Sequence, residues 1–439
     1  MATKKKRYAL CGLSTRAIYH FVLPLIGKNR EGGPNFDNTA ELVGILDADR
    51  ARVEAFFGKV GVSIPIYPAK AIRRMIKETK PDTLIVVGPD ATHCAHIVAG
   101  LKAGCDVIAE KPMVISCKQV RRVQEAEQRS GRRVRVAHNY RYTPTHKRLK
   151  RMIQGGELGR IVNVEFTYNL DTWHGSSYFY RWNRMREMSG GLSIHKCCHH
   201  FDLANWWLGD IPEEVFAFGG LNYYGPNGAI RPRDAQGKPF PPEEEKRQCP
   251  IFQKHYIEKR DPSSNFITPG WDEFELPYDV QYPAGEPRYI YDDAIKIEDA
   301  YSAVVRYRSG ATMAYSCNFC TPWEGYVLAF NGTKGRVEIV HRSDPDPTGK
   351  TTPAADAGLI TFYPLFGGKQ LIEIPAVAGG HGGADFAIQN DLFGSVAQES
   401  QELKLVADSQ AGAYAIAMGE AVWKSIASGR PMNIAKMLD

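Results

Sequence analysis

Short apolar runs alternate with amphipathic stretches through the first third of the chain. Tyr8–Cys11, Glu41–Leu46, Thr83–Val87, Asp106–Ala109 and Val134–Ala137 read as strands. Thr83–Val87 is β-branched without a polar face, the mark of a parallel strand covered on both sides. Helical spacing fills Ala71–Thr79 and about His93 to Gly104. The alternation predicts a doubly wound parallel sheet over residues 1–138, a Rossmann dinucleotide-binding domain. Past 139 the period becomes two. Ile161–Tyr168 alternates, as does Tyr301–Tyr307, where a Ser309-Gly310 turn leads into Ala311–Asn318. Val327–Asn331 and Arg336–His341 flank Gly332–Gly335. Residues 139–439 are therefore expected to form an α+β domain on a large, mostly antiparallel open sheet. The fold class is α/β, with a closing helix at 411–430. Eleven of the 27 prolines lie in 222–290, among many aromatic residues. That stretch reads as an insertion covering the site or as a subunit-contact arm.

Composition narrows the picture. Over 439 residues, 43% hydrophobic and 24% charged is ordinary for a soluble globular chain. No run approaches the ~18 apolar residues of a membrane helix, and no apolar leader separates Lys4–Arg7 from the first strand. A cytoplasmic protein with no membrane partner is the expectation. The net charge of +6 is modest, and the basic stretches at 4–7 and 121–135 read as solvated surface, so no nucleic acid is expected. Nine irregularly spaced cysteines read as reduced thiols.

The strand ends carry the candidate chemistry. Gly12-Leu13-Ser14-Thr15-Arg16-Ala17 follows the first strand in place of G-x-G-x-x-G. Gly12 permits the tight turn, Ser14 replaces the glycine that approaches pyrophosphate, and Ala17 allows close packing. Asp47 ends the second strand, where a carboxylate bonds ribose hydroxyls and repels a 2′-phosphate; this favours NAD over NADP, although Arg50 stands nearby. A plain helix N-cap is the other reading of Asp47. Asp90, His93, Glu110, Lys111 and Asn139 follow later strands, completing the candidate cofactor residues with Gly12, Ser14, Thr15 and Arg16.

Glu110-Lys111-Pro112 resembles the E-K-P motif of the Gfo/Idh/MocA family. Gly190-Gly191-Leu192-Ser193-Ile194-His195-Lys196-Cys197-Cys198-His199-His200-Phe201-Asp202 resembles its second signature, with His195 where the family usually has Asp or Glu. The H-K-x-x-H-H-F-D form looks like a sub-branch acting on sugars or glycosides. The resemblance implies Lys111 beside the nicotinamide as the cation for a growing alkoxide, and His199 as the base. Substrate contacts are expected from Lys111, Tyr140, Arg141, Trp173, Arg181, Trp182, His195, His199 and His381, with Asp385 beside the last. Asp202 is read as orienting a neighbour or as an exposed helix carboxylate. His195 and His199, four apart, should share a helix face. With Cys198 and His200 they could hold a metal, but no metal-ligand motif is present and none is expected. Three functions stay open: NAD-dependent oxidation of a ring hydroxyl, at C3 of a glucoside or in an inositol; glycoside cleavage through transient oxidation and elimination; and a non-catalytic sensor. The resemblance also implies that residues 139–439 form the substrate-binding and oligomerisation domain, of a homo-oligomer that is a dimer or tetramer.

Overall fold

The structure, a computed structural model, describes residues 4–254, 274, 276, 289–343, 358–377 and 379–439. Six parallel strands begin the chain: β1 (Lys6–Cys11), β2 (Ala40–Asp47), β3 (Ile66–Pro68), β4 (Thr83–Val86), β5 (Asp106–Ala109) and β6 (Val134–Val136). They lie in the order 6-5-4-1-2-3, so the winding reverses between β1 and β4. Ligands of such sheets bind beyond the carboxyl ends at that reversal. All four residues of β4 are buried, as its unbroken apolar run requires. The helix placed from His93 begins earlier, at Asp90, and ends at Lys102.

A second sheet follows, built from β7 (Ile161–Asp171), β8 (Pro212–Gly220), β9 (Ala300–Tyr307), β10 (Thr312–Thr321), β11 (Glu324–Gly332), β12 (Gly335–Ser343), β13 (Gly358–Pro364) and β14 (Gln370–Ile374). It is mixed: neighbours are antiparallel except β7 and β10. The hairpin around Ser309-Gly310 forms as read, with Thr312 opposite Arg306. One face packs the helices. The other leaves Phe218, Val304, Val327, Val340 and Leu359 exposed, and register puts Val327 opposite Val340 and Val304 opposite Phe216.

Two late segments tie the sheets together. β15 (Ala407–Asp408) pairs antiparallel with β6 and becomes the first sheet's seventh strand. β16 (Met432–Asn433) joins the second sheet beside β8. Between them runs the closing helix, Ser409–Ser428, capped by Asp408 and ended by Gly429 in the left-handed conformation. A Cβ on Gly419 would lie 2.4 Å from Ser193 O, so only glycine lets this helix pass the backbone of the histidine segment. No described helix is long and apolar enough to cross a membrane. Of the 222–290 aromatics, Trp271, Tyr256 and Tyr278 lie outside the described residues, while Phe274 packs against Phe56 of the first domain at 5.0 Å.

Candidate active site

The glycine turn lies at the sheet's reversal. Gly12 has φ +96°, and a Cβ there would stand 2.6 Å from Gly88 Cα, so this glycine is fixed by close backbone approach. The Ser14 hydroxyl is spent locally, since its Oγ accepts from Ala17 N at 3.1 Å and caps the helical segment that follows. That segment contains a widened π turn at Ile18–Val22. Asp47 is not a helix cap; Asp49 caps the next helix. Asp47 Oδ2 accepts from Leu13 N at 2.6 Å and Oδ1 from Asp49 N at 2.8 Å, bracing the glycine turn while each oxygen keeps a lone pair. Arg52, fully buried and not legible as a site residue from its place in the sequence, holds Leu13 O from the other side. Arg50 pairs with Glu54 at 2.7 Å. The glycine, capped helix and acidic strand end fit a dinucleotide.

Arg16 turns inward rather than standing free. It bonds Glu110 Oε1 at 2.5 Å and Asp385 Oδ1 at 3.3 Å. Asp385 also accepts from Asn139 Nδ2 at 2.8 Å and lies 2.8 Å from His381 Nδ1. Burial pushes the Asp385 carboxyl up, but Arg16, His381 and His20 outweigh it and hold it well below the usual range. This cluster latches the glycine-rich 379–383 loop to the first domain and leaves the His381 ring exposed, 5.6 Å from Tyr140. Thr15 lies half-buried beside Arg16 in the first helical turn.

The Lys111–Pro112 peptide is cis. Glu110 Oε2 accepts from Lys111 N at 2.6 Å. His93 is a correction to the cofactor reading: it is buried, with Nδ1 2.9 Å from Pro112 O and Nε2 2.8 Å from Gly88 O. Both nitrogens are thus taken by backbone on the two loops that frame the crevice. Lys111 is half-buried, and its Nζ donates to His195 O at 3.4 Å.

The histidine segment is not one helix. Leu192–His195 ends, Cys197 N bonds Leu192 O, and a new helix runs Cys198–Leu208. His195 and His199 therefore do not share a face, which corrects the four-residue reading. His195 Nδ1 lies 2.5 Å from Asp90 Oδ2, and Nε2 lies 3.0 Å from Asn183 Nδ2. Burial raises the Asp90 carboxyl to about 8, against the pull of His93 and Lys111. His199 stacks on Tyr140 at 4.3 Å with 14° between rings, and meets His138 edge-on at 6.0 Å. Its Nδ1 is sealed without a partner, and its Nε2 bonds no described residue. Burial, then Lys111, His138 and Lys196, keep the ring well below the ordinary histidine range, hence neutral and ready to accept a proton. The next side chain, His200, donates or accepts at Nδ1 with Tyr315 OH at 2.7 Å and stacks on Tyr168.

Arg141 is a second correction. It is buried in a bidentate pair with Asp202, Nε to Oδ2 at 2.8 Å and Nη2 to Oδ1 at 2.6 Å, and donates to Lys404 O at 3.0 Å. Its donors are taken up by Asp202 and the Lys404 carbonyl. Asp202 accordingly orients a neighbour. Trp182 meets His195 edge-on at 5.5 Å. Arg181 donates to Ser177 O and Oγ and lies over Tyr178. Trp173 is half-buried in the Thr172–Tyr180 helix. A pair that sequence reading did not assemble stands beside them: His174 Nδ1 lies 2.9 Å from Glu324 Oε2, 150 residues away, and its Nε2 meets Tyr178 OH at 2.9 Å.

Among the described residues, Cys197, His200 and Cys317 converge in ligand-like fashion, buried and with one side-chain N or S atom of each within 4.8 Å of the others. Cys198, included in the metal reading, instead bonds His195 O at 3.7 Å.

Residues 6–138 match the NAD-binding Rossmann-fold domain of the Gfo/Idh/MocA oxidoreductases, and residues 150–434 match their C-terminal alpha/beta domain. The chain belongs to the Gfo/Idh/MocA oxidoreductase family. Within this family it is 41% identical to YteT of Bacillus subtilis (strain 168), over 98% of both chains. It is 26% identical to the myo-inositol 2-dehydrogenase of Thermotoga maritima (strain ATCC 43589 / DSM 3109 / JCM 10099 / NBRC 100826 / MSB8) over 45% of this chain and 58% of that one. The structure of levoglucosan dehydrogenase in complex with NADH and levoglucosan shares the fold. Its TM-score is 0.65 at 15% identity, covering 98% of this chain and all of the other.

Proposed function

We propose that this oxidoreductase uses NAD to oxidise a ring hydroxyl of a sugar, glycoside or inositol, with C3 of a hexose ring the favoured position. The observation that carries the reading is His199: a neutral, buried imidazole, held by stacking on Tyr140, with one sealed nitrogen and one open one, beside Lys111. Nicotinamide, when bound, accepts the hydride from the carbinol carbon. His199 Nε2 takes the hydroxyl proton. Lys111 Nζ, which among the described residues makes one long bond to His195 O, would stabilise the growing negative charge on the oxygen. The half-buried aromatic Trp182 suits a sugar ring face. Asp47 favours NAD over NADP, because its carboxylate repels a 2′-phosphate and Arg50 is engaged with Glu54. Relatives named as inositol 2-dehydrogenase and a fold neighbour holding NADH and levoglucosan support the substrate class.

The test incubates the protein with NAD or NADP and a panel of sugars, myo-inositol and nitrophenyl glycosides. Absorbance is followed at the NADH and nitrophenol bands, with Lys111→Ala and His199→Ala alongside. NADH production lost in both variants supports the reading. Nitrophenol release without net NADH moves the protein to glycoside cleavage, and binding without either to a sensor. The exposed apolar face of the second sheet supports self-association as a dimer or tetramer. Light scattering on Val304→Glu should show a smaller particle than the parent chain.

A further inference from the structure

Lys196 sits inside the site and has no assigned work. Only 4% of it is exposed. Its Nζ lies over the Tyr168 ring at 5.0 Å and makes no hydrogen bond or ion pair with any described residue. The buried amine of Lys150 shows the contrast: its Nζ donates to the carbonyls of Trp206 and Trp207, and burial lowers it to about 8. Lys196 has no such carbonyls. Burial opposes its charge, but the oxygens of Tyr140, Tyr178 and Glu324 outweigh burial and raise it above the ordinary lysine value. A buried ammonium therefore faces the site with three donors unspent.

The carboxyls around it are engaged elsewhere. Lys111 stands in the same site, and among the described residues Arg181 bonds the oxygens of Ser177. Of the carboxyls around them, Glu110 is engaged by Arg16, Asp202 by Arg141, and Asp385 by Arg16 and His381. Glu324 is ionised: although burial raises it, His174 and Lys196 bring it down to about 2, and its carboxylate is engaged with His174. Asp90, raised by burial to about 8, is largely protonated at neutral pH. His195 and His199, lowered by burial, add no charge. Each of these carboxyls thus has another partner, and Lys196 has none among the described residues. A desolvated charge needs a partner, and the unspent donors of Lys196 call for an anion.

We infer that Lys196 binds a carboxylate of the substrate, so that the sugar this site takes is a sugar acid, such as a hexuronate or its glycoside. The inference rests on the sugar-oxidation reading above and narrows it. Ammonium-to-carboxylate hydrogen bonds on a buried cation are strong and discriminate by about 10- to 100-fold.

Two measurements test it. The first compares kcat/KM for matched pairs with saturating NAD: glucuronate against glucose, galacturonate against galactose, and galacturonate against its methyl ester. The second measures Kd for the same pairs on the NAD-loaded protein by tryptophan fluorescence. Both use the parent chain, Lys196→Met and Lys196→Arg; circular dichroism checks folding. The ester comparison needs no variant, so it stands even if Lys196→Met fails to fold. The expected result is a preference for the acid of about 10- to 100-fold in the parent chain, collapsed in Lys196→Met and largely kept in Lys196→Arg. Equal or better use of the neutral sugar overturns the inference and leaves the sugar-oxidation reading intact. If nothing is oxidised but acids bind preferentially through Lys196, the inference holds and that reading fails. No turnover and no binding preference overturns both.

Discussion

The Arg141–Asp202 pair separates a structural role from a substrate role at one position. Both residues are buried, and they exchange two hydrogen bonds at 2.6 and 2.8 Å. Arg141 sits next to Tyr140, which stacks on His199, and Asp202 lies on the helix that carries His199. The pair therefore clamps the aromatic support to the candidate base. Removing one partner strands the other's charge in a dry interior, which costs about 3–5 kcal/mol. Arg141→Met and Asp202→Asn should each lose about that much. Replacing both charges at once, Arg141→Met with Asp202→Leu, should recover most of the loss, because a buried ion pair and a well-packed apolar pair differ little in stability. Coupling of at least about 2 kcal/mol between the sites is expected, within the range for residues in contact. The assay is urea unfolding followed by tryptophan fluorescence. With a slope of about 3 kcal/mol/M, each single variant should lower the midpoint by about 1 M or more at unchanged slope. The folded single variants should also lose kcat, since Tyr140 and His199 shift together. An unchanged midpoint for Arg141→Met with only a raised KM would refute the clamp and restore Arg141 to substrate contact. A double variant no better than the worse single one would refute the charge argument.

Three further outcomes follow from the same geometry. Gly12→Ala should weaken NADH binding at least tenfold by fluorescence titration, because its Cβ would meet Gly88 backbone at 2.6 Å and φ is +96°; an unchanged Kd sinks the close-approach account. Asp90, raised from 3.8 to about 8, holds a proton in the folded state that the unfolded chain has lost. Its contribution is full below about pH 4 and falls as pH rises to 8, by about 1.4 kcal/mol per pH unit, then levels off. Urea midpoints of Asp90→Asn should lack that slope across about pH 5–8, and a pH-independent gap between the two proteins would contradict the assignment. Ser14→Ala should cost about 1 kcal/mol through the lost cap and Ser14→Gly only a few tenths; equal costs would mean the hydroxyl is not capping.

Much of the first domain is readable because its strands are buried on both faces, so apolar runs of strand length mark them directly. Strand ends then locate Gly12, Asp47, Lys111 and Asn139 by topology. β15 escapes notice: two residues carry no period, and Ala407–Asp408 becomes a strand only because β6 offers an open edge. The misreadings of Arg141 and His93 share a cause. Each has a polar head near the site, and each is satisfied by a partner distant in sequence or set by the fold, Asp202 in one case and the carbonyls of Gly88 and Pro112 in the other. Spacing says where a side chain starts and nothing of what occupies its donors.

The histidine segment shows what that limit means for the site. Residues 192–202 have enough helical character to read as one helix, in which positions 195 and 199 would share one environment. The chain breaks at Lys196–Cys197 instead, with Cys197 N reaching back five residues to Leu192 O. The break sends His195 to Asp90 in the first domain and His199 to Tyr140 at the start of the second. It also turns Lys196, which an unbroken helix would rotate about 100° from His195, over Tyr168 on the second sheet. Three side chains are thereby sent to three places: His195 to the first domain, Lys196 over the second sheet, and His199 against Tyr140. A substitution that restored a continuous helix would keep every motif residue and still dismantle the site. The motif therefore specifies function through the interruption between its histidines as much as through the histidines themselves.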